Sequence, residues 1–215
     1  MIRRTRVQIG RAGIDGPDDP GSMTRDRRRR FRDVDRAVTA AGAPRRVRHA
    51  ANSSGALRFP EARLDLVRTG IAIYGHGRWP AGGAPRQAAM RLVTEVVQLR
   101  TIAEGASVGD GATWRAARAS RVAVLPLGYA DGLPRRASGR TQAAIRGHCV
   151  PLLGFADVTE VPEIAVGDAA VLLGRASDGA SISVAEYGAW AGLSEYEVTC
   201  GMSKRVPRTY VGEPL

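Results

Sequence analysis

Residues 122–135 read VAVLPLGYADGLPR. The apolar run from Val122 to Leu127 has the length and β-branched content of a strand. It stops at Gly128, delivers one tyrosine, and enters a tight Ala-Asp-Gly-Leu-Pro turn. A buried tyrosine needs a partner for its hydroxyl, and an exposed one is often there for contact or chemistry. The same texture recurs from Met90 onward in RLVTEVVQLRTI, AAIRG, CVPLLG and AAVLLGR, each run closed by a Gly- or Pro-rich turn. The repetition predicts a mostly β domain. One helix is expected to interrupt it: Ser183-Val184-Ala185-Glu186 is a capping box, and Gly192 closes the helix.

Upstream the texture differs. Residues 15–23, DGPDDPGSM, form a turn-rich loop. A helix is predicted from Thr24 to Ala41, with Thr24 as its cap, Phe31, Val34, Val38 and Ala41 as its apolar stripe, and Gly42 as its stop. Then RVRHAANSSG and LVRTGIAIYG read as strand-like runs leading into small residues, joined by a short helical FPEARLD connection. This is the pattern of β/α units. The boundary between the two textures falls near residues 80–88, giving domains at 1–84 and 85–215.

Composition narrows the function. The chain has 215 residues, 44% hydrophobic, with a net charge of +11. No apolar run approaches a membrane span, and the basic N-terminus lacks the apolar core of a signal peptide. Cys149 and Cys200 form no metal-type spacing, which suits a reduced, cytoplasmic setting. Residues 1–48 hold 14 Arg against 6 Asp and Glu, so the first quarter carries most of the charge. Its RDRRRRFR run at 25–32 could track phosphates. It lies, however, on an amphipathic helix whose Phe31 belongs to the apolar stripe, so a solvated basic face is the simpler reading and nucleic acid is not expected as a partner. Lys204 is the only lysine.

Individually the polar candidates carry two readings each. Asn52 and Ser53 end a strand-like run, where small polar groups either cap a turn or bind phosphate. Gly70 and Ile71 could offer N–H groups to an anion or merely form a turn. Arg68 could pair with a cofactor nitrogen or sit solvated on the surface. His49 reads as a structural hydrogen-bonder, and His76 and His148 share no metal spacing with it.

In order, HAANSSGAL, LDLVRTGIAIYG, PLGYADGLPRR, VGDAAVLLG and KRVPRTY resemble the signature segments of the alanine racemase family. A weaker match, GRAGI, lies at 10–14. The resemblance implies a pyridoxal-phosphate enzyme built from a (β/α)8 barrel followed by a β domain. The fold class expected here is therefore α/β plus β: a partial (β/α)8 barrel remnant, then a mostly β C-terminal domain. The implied activity interconverts L- and D-alanine, a supply of D-alanine for peptidoglycan. Removing the α-proton of an amino acid leaves a carbanion that the cofactor delocalises, and return of a proton from the opposite face requires two acid/base groups flanking the carbon. By resemblance, Tyr129 is one of them. An unperturbed phenol titrates near pH ~10, so useful basicity calls for cationic neighbours or hydrogen bonds.

The resemblance also places Arg68 at the pyridine nitrogen, with His49 holding it from behind. Ser53 and the backbone of Gly70 and Ile71 match phosphate contacts, with Asn52 beside them. Lys204 stands where the family often carries a tyrosine touching the phosphate. Arg11 matches an arginine near the substrate carboxylate. In the family each active site is shared, the β domain of one subunit supplying the tyrosine to its neighbour. A homodimer with shared sites is thus implied, with alanine as substrate.

The sequence also departs from the family. Its cofactor lysine lies in a segment resembling Lys-Ala-Asn-Ala-Tyr-Gly, and nothing like that segment occurs here. The first half of the barrel has no counterpart. The family's Ser-Met-Asp segment is replaced by LLGFADVTEV, with Asp157 as its nearest match. The chain thus resembles the C-terminal part of a racemase, acting either as an enzyme or as a non-catalytic dimerisation module that docks a complementing N-terminal half. A parallel sheet that does not close leaves edges and apolar faces open. Residues 1–80 are accordingly expected to pack poorly or to depend on a partner.

Overall fold

The computed structural model describes residues 22–44, 47–77, 87–109 and 111–211. They divide into two compact units between Gln87 and Ala88.

The first unit opens with helix α1, Ser22–Ala40. It starts two residues before Thr24, which lies inside the first turn rather than capping it. At the other end the Gly42 N–H donates to the Thr39 carbonyl and the Ala43 N–H to the Val38 carbonyl, satisfying carbonyls that the helix leaves free. The two strand-like runs that follow lie side by side. The Asp65 N–H donates to Arg48 O (3.1 Å) and the Arg68 N–H to Ala51 O (2.9 Å). They meet at one parallel bridge, Asn52 with Arg68, instead of the longer strands the sequence suggested. Helix α2, Ser53–Arg58, and a 3₁₀ turn, Pro60–Ala62, connect them. Arg48 clasps Asp65 through Nε (2.9 Å) and Nη2 (3.0 Å) and reaches Asp35 of α1 (3.3 Å). The apolar contribution is small. The buried cluster is Ala51, Ala56 and Ala62 with Phe59 against it, whereas Val34, Val47, Leu66, Ile73 and Tyr74 are exposed.

The second unit is a β-rich domain. Its strands are β1 Leu92–Glu95, β2 Gln98–Ile102, β3 Ser120–Val124, β4 Thr141–Ile145, β5 His148–Leu152, β6 Ala156–Asp157, β7 Ala169–Arg175 and β8 Ser181–Ile182. Every pairing is antiparallel, in the order β1-β7-β4-β5-β6-β3-β2, with β8 on β7. Consecutive strands β1 and β2 thus stand at opposite ends of the order. The chain passes from one end to the other at Val96 and Val97. The Val96 N–H still donates to Asp168 O, just before β7, while the Val97 N–H already donates to Val124 O of β3. The sheet therefore curls until its two ends share one segment, an arrangement that covers edges which would otherwise be open.

A sheet curled this tightly needs small residues inside. Ala123, Ala143, Ala144, Ala156 and Ala170 are all fully buried, interleaved with Ile145, Leu172 and Leu173. A register shift between Leu92 and Val93 opposite β7 adds to the curl. Helix α3, Val184–Ala191, closes over this core. Its capping box forms as the sequence indicates: Glu186 N–H donates to Ser183 Oγ (3.1 Å), and Ser183 N–H to Glu186 Oε2 (2.8 Å). Gly192 ends it. A further helix, α4 Glu195–Gly201, follows where the sequence reading placed none. It carries the same device, Ser194 with Glu197, so its start was encoded in SEYE just as α3 was in SVAE.

Candidate functional site

The first unit gathers six of the residues singled out by sequence. Because the runs ending at Asn52 and Arg68 are adjacent and parallel, the segments that leave them emerge together. Asn52 Oδ1 accepts the Gly55 N–H (2.9 Å) and caps α2. This leaves the neighbouring hydroxyl for other work. Ser53 is buried, and its Oγ accepts the N–H groups of Gly70 (2.9 Å) and Ala72 (3.3 Å). Ser53 Oγ and the backbone of 70–72 therefore converge on one point, with the Ile71 side chain buried beneath. A Cβ added to Gly70 would meet nothing within 4 Å, so the space beside this cradle is open. Both N–H groups are spent on the hydroxyl oxygen, so the donor that this cradle keeps for an anion is the Ser53 O–H. The Ala72 N–H was not foreseen from sequence, and only the turn geometry after Gly70 brings it in.

On the adjacent run, Arg68 Nη1 lies 2.7 Å from His49 Nδ1, and Nη2 donates to Ala50 O (3.4 Å). These contacts fix the guanidinium while its outer donors face solvent. An arginine keeps its proton under all working conditions, so it suits an uncharged heteroaromatic nitrogen as an acceptor. The Ser53 hydroxyl and the Arg68 guanidinium thus lie on neighbouring strand ends, groups of the kinds that a phosphate and a ring nitrogen such as those of pyridoxal phosphate accept hydrogen bonds from. The amine to which that cofactor is usually joined has no candidate in this unit, because the only lysine of the sequence is Lys204.

The second unit holds Tyr129 and Lys204. Tyr129 opens a 3₁₀ turn, Tyr129–Asp131, separated by residues 125–128 from the end of β3, which stops at Val124 rather than running on to Leu127. It is 81% exposed, so the core has no claim on it. The turn is fastened at several points. Asp131 Oδ2 accepts the Gly128 N–H (2.9 Å), and Asp131 O accepts the Ser203 N–H (3.0 Å). Asp131 Oδ1 lies 3.6 Å from Arg205 Nε. Gly132 takes φ +116°, and a Cβ there would stand 2.6 Å from Gly201 O. Lys204 is thus on the exposed turn between two residues that Asp131 contacts. Arg208 folds that segment further by donating to the carbonyls of Met202, Ser203 and Val206. Cationic groups therefore accumulate on the segment held against the tyrosine turn. Sequence reasoning missed Asp131 and Arg205, although an acid three residues after Gly128 is an N-terminal capping signal.

Arg11 lies outside the described residues. Among the described residues, no group of three or more His, Cys, Asp or Glu could hold a metal ion, and no helix is long and apolar enough to cross a membrane.

Comparison with known proteins gives these motifs their context. A family model described as "Alanine racemase, C-terminal domain" matches residues 89–210, and "Alanine racemase, N-terminal domain" matches 11–77. An alanine racemase of Sorangium cellulosum is 42% identical over 205 residues, covering 90% of this chain and 53% of that protein. The crystal structure of alanine racemase from D-cycloserine producing Streptomyces lavendulae superposes with a TM-score of 0.81 at 32% identity, covering 93% of this chain and 54% of that one. The alanine racemase of Bartonella henselae with covalently bound pyridoxal phosphate has a TM-score of 0.76 at 27% identity, covering 90% and 54%. The chain spans about half the length of the relatives it matches. On the family models, the identity and the shared fold together, the chain belongs to the alanine racemase family.

Proposed function

We propose that this chain carries the cofactor-holding end and one proton-transferring group of an alanine racemase site. The observation that carries the reading is the pairing of the Ser53–Gly70 cradle with the His49–Arg68 pair on adjacent strand ends. Residues 22–77 then correspond to late strands of a (β/α)8 barrel, which the parallel bridge and the match to the N-terminal family model support. Phosphate seats are common late in such barrels. The barrel remnant occupies 1–84 and the β domain 85–215.

Pyridoxal phosphate, when bound, supplies an electron sink for the charge left on the α-carbon. The chain's own residues do the rest. The Ser53 O–H and the backbone of Gly70 and Ile71 would face the phosphate, next to Asn52, which keeps α2 capped; the Gly70 N–H, which donates to Ser53 Oγ, would have to turn from that oxygen to reach it. Arg68 donates to the ring nitrogen without surrendering a proton, and His49 keeps its fork aimed. That contact leaves the ring less electron-withdrawing than a protonated one and disfavours side reactions. By resemblance alone, Arg11 is assigned to the substrate carboxylate. The Tyr129 hydroxyl takes or returns the α-proton on one face of alanine, and its exposure suits service to a second subunit's site in a homodimer. Lys204 stands, by resemblance, where the family often carries a phosphate-touching tyrosine. A cytoplasmic enzyme fits this chemistry.

A second reading is a non-catalytic module that dimerises or complements a lysine-bearing N-terminal half. Within residues 1–215 Lys204 is the only lysine, so under this reading the cofactor amine comes from the complementing half. One experiment separates the two. The purified chain is titrated with pyridoxal phosphate, reduced with borohydride, digested and mapped, and assayed for D-alanine formation with Tyr129→Phe as control. Label on Lys204, with racemisation that the control reduces by 100-fold or more, supports an enzyme. Reversible binding without label, and racemisation only on adding a lysine-bearing N-terminal fragment, supports the module. No binding in either format overturns the site assignment.

A further inference from the structure

We propose that Asp131 is a positioning residue that joins the Tyr129 turn to the Lys204 segment, so that the proton-transferring phenol and the chain's single lysine are placed as one unit. The proposal rests on Tyr129 being the proton-transferring group.

The four polar contacts of Asp131 divide between two stretches far apart in sequence, the first being its own N–H donating to Gly128 O at 3.0 Å. One carboxylate oxygen accepts the N–H of Gly128, the residue before Tyr129, at 2.9 Å. The other faces the guanidinium of Arg205, the residue after Lys204, at 3.6 Å. The Asp131 carbonyl accepts the N–H of Ser203, the residue before Lys204, at 3.0 Å. The carboxylate thus holds the near side of the tyrosine and the far side of the lysine. Gly132 allows the two backbones to meet, because any side chain there would collide with Gly201 and Met202. Tyr129 itself is 81% exposed and gets no support from the core. Its placement depends on the turn that bears it; backbone bonds from the Asp131 and Leu133 N–H groups to Gly128 O close that turn, and the carboxylate fastens it to Gly128 N–H and Arg205. Small displacements of a proton-transferring group cost large factors in rate.

The backbone contact to Ser203 makes the idea testable, since no side-chain substitution removes it directly. Amide hydrogen exchange of the full chain is measured by NMR for wild type, Asp131→Asn, Asp131→Ala and Arg205→Ala, with alanine racemisation followed in parallel. In Asp131→Ala, exchange at Gly128 rises because its acceptor is gone. Exchange at Ser203 should also rise, by about tenfold, because the turn lifts from the segment. Asp131→Asn keeps an acceptor for Gly128 and should retain protection there while losing the charge opposite Arg205. In the activity arm, kcat falls at least tenfold in Asp131→Ala with KM little changed, and Asp131→Asn recovers part of it. A Ser203 amide as protected in Asp131→Ala as in wild type overturns the proposal, as does a wild-type kcat in that variant. If the wild-type chain shows no racemisation, the functional reading fails by itself, and the Ser203 exchange decides the clamp.

Discussion

Replacing Gly132 with alanine tests the clamp through stability alone. The added Cβ would lie 2.6 Å from Gly201 O, 2.9 Å from Met202 Cα and 3.1 Å from Gly201 C. All three are backbone atoms, so no flexible side-chain end can swing aside. The residue also sits at φ +116°, where L-residues are strained by about 1–3 kcal/mol. Overpacking against fixed atoms adds a cost of about 1–3 kcal/mol. Part of each is relieved if the turn separates from Gly201–Met202, which replaces strain with the lost Ser203 hydrogen bond at about 1 kcal/mol. A net destabilisation of about 3 kcal/mol follows, or a fall in Tm of roughly 10 °C for a domain of this size. Urea unfolding can be followed by Trp114, which meets Phe155 edge-on, and by Trp190, which packs on the core. Gly128→Ala is the control. Gly128 lies in the same turn but is extended at φ −150°, and a Cβ there meets nothing within 4 Å. That substitution should change stability by no more than about 0.5 kcal/mol. Equal effects of the two substitutions, or a Gly132→Ala loss below about 0.5 kcal/mol, would refute the reasoning.

Two further outcomes follow from the core and the surface. Tyr187 is fully buried, its hydroxyl has no partner among the described residues, and burial pushes its pKa up to about 12. Tyr187→Phe should therefore be neutral or stabilising by about 1 kcal/mol in thermal unfolding. Because the folded pKa lies above the usual value of about 10, the unfolded chain loses its proton first. Wild type should thus lose stability between about pH 10 and 12, and Tyr187→Phe should not share that loss. Asp168 shows the opposite sign. The Arg146 Nε–H, at 2.6 Å, and then the Ala165 N–H hold its carboxylate below the usual pKa. Its stabilisation is present above the unfolded carboxylate pKa of about 3.9 and is lost as pH falls through the lower folded value. Asp168→Asn should flatten that acid limb in a pH series of unfolding midpoints.

Local signals were legible in the sequence because local geometry satisfies them. Ser183 and Glu186 are three residues apart, the spacing at which each side chain reaches the other's N–H, so the start of α3 could be read directly. The overlooked Ser194–Glu197 pair was equally readable. Apolar runs between Gly- or Pro-rich turns marked β1 to β5 and β7, with β1 and β2 inside a single run, whereas the two-residue β6 and β8 carried no such mark. The ordered motifs around Asn52, Arg68, Tyr129 and Lys204 identified the family, which the later comparisons bear out. The sequence could not specify partners across long separations. Ser53 Oγ receives N–H groups from residues 17 and 19 positions away. That choice depends on two strand ends lying parallel, which no local periodicity encodes. β1 and β2 are separated by only Val96 and Val97, yet stand at opposite ends of the sheet order, because only a curled sheet lets one bent segment serve both. Asp131 looked like part of a turn until the fold brought Ser203 and Arg205 against it. Chain order determined which groups the protein possesses. Backbone pairing between distant segments decided which of them meet.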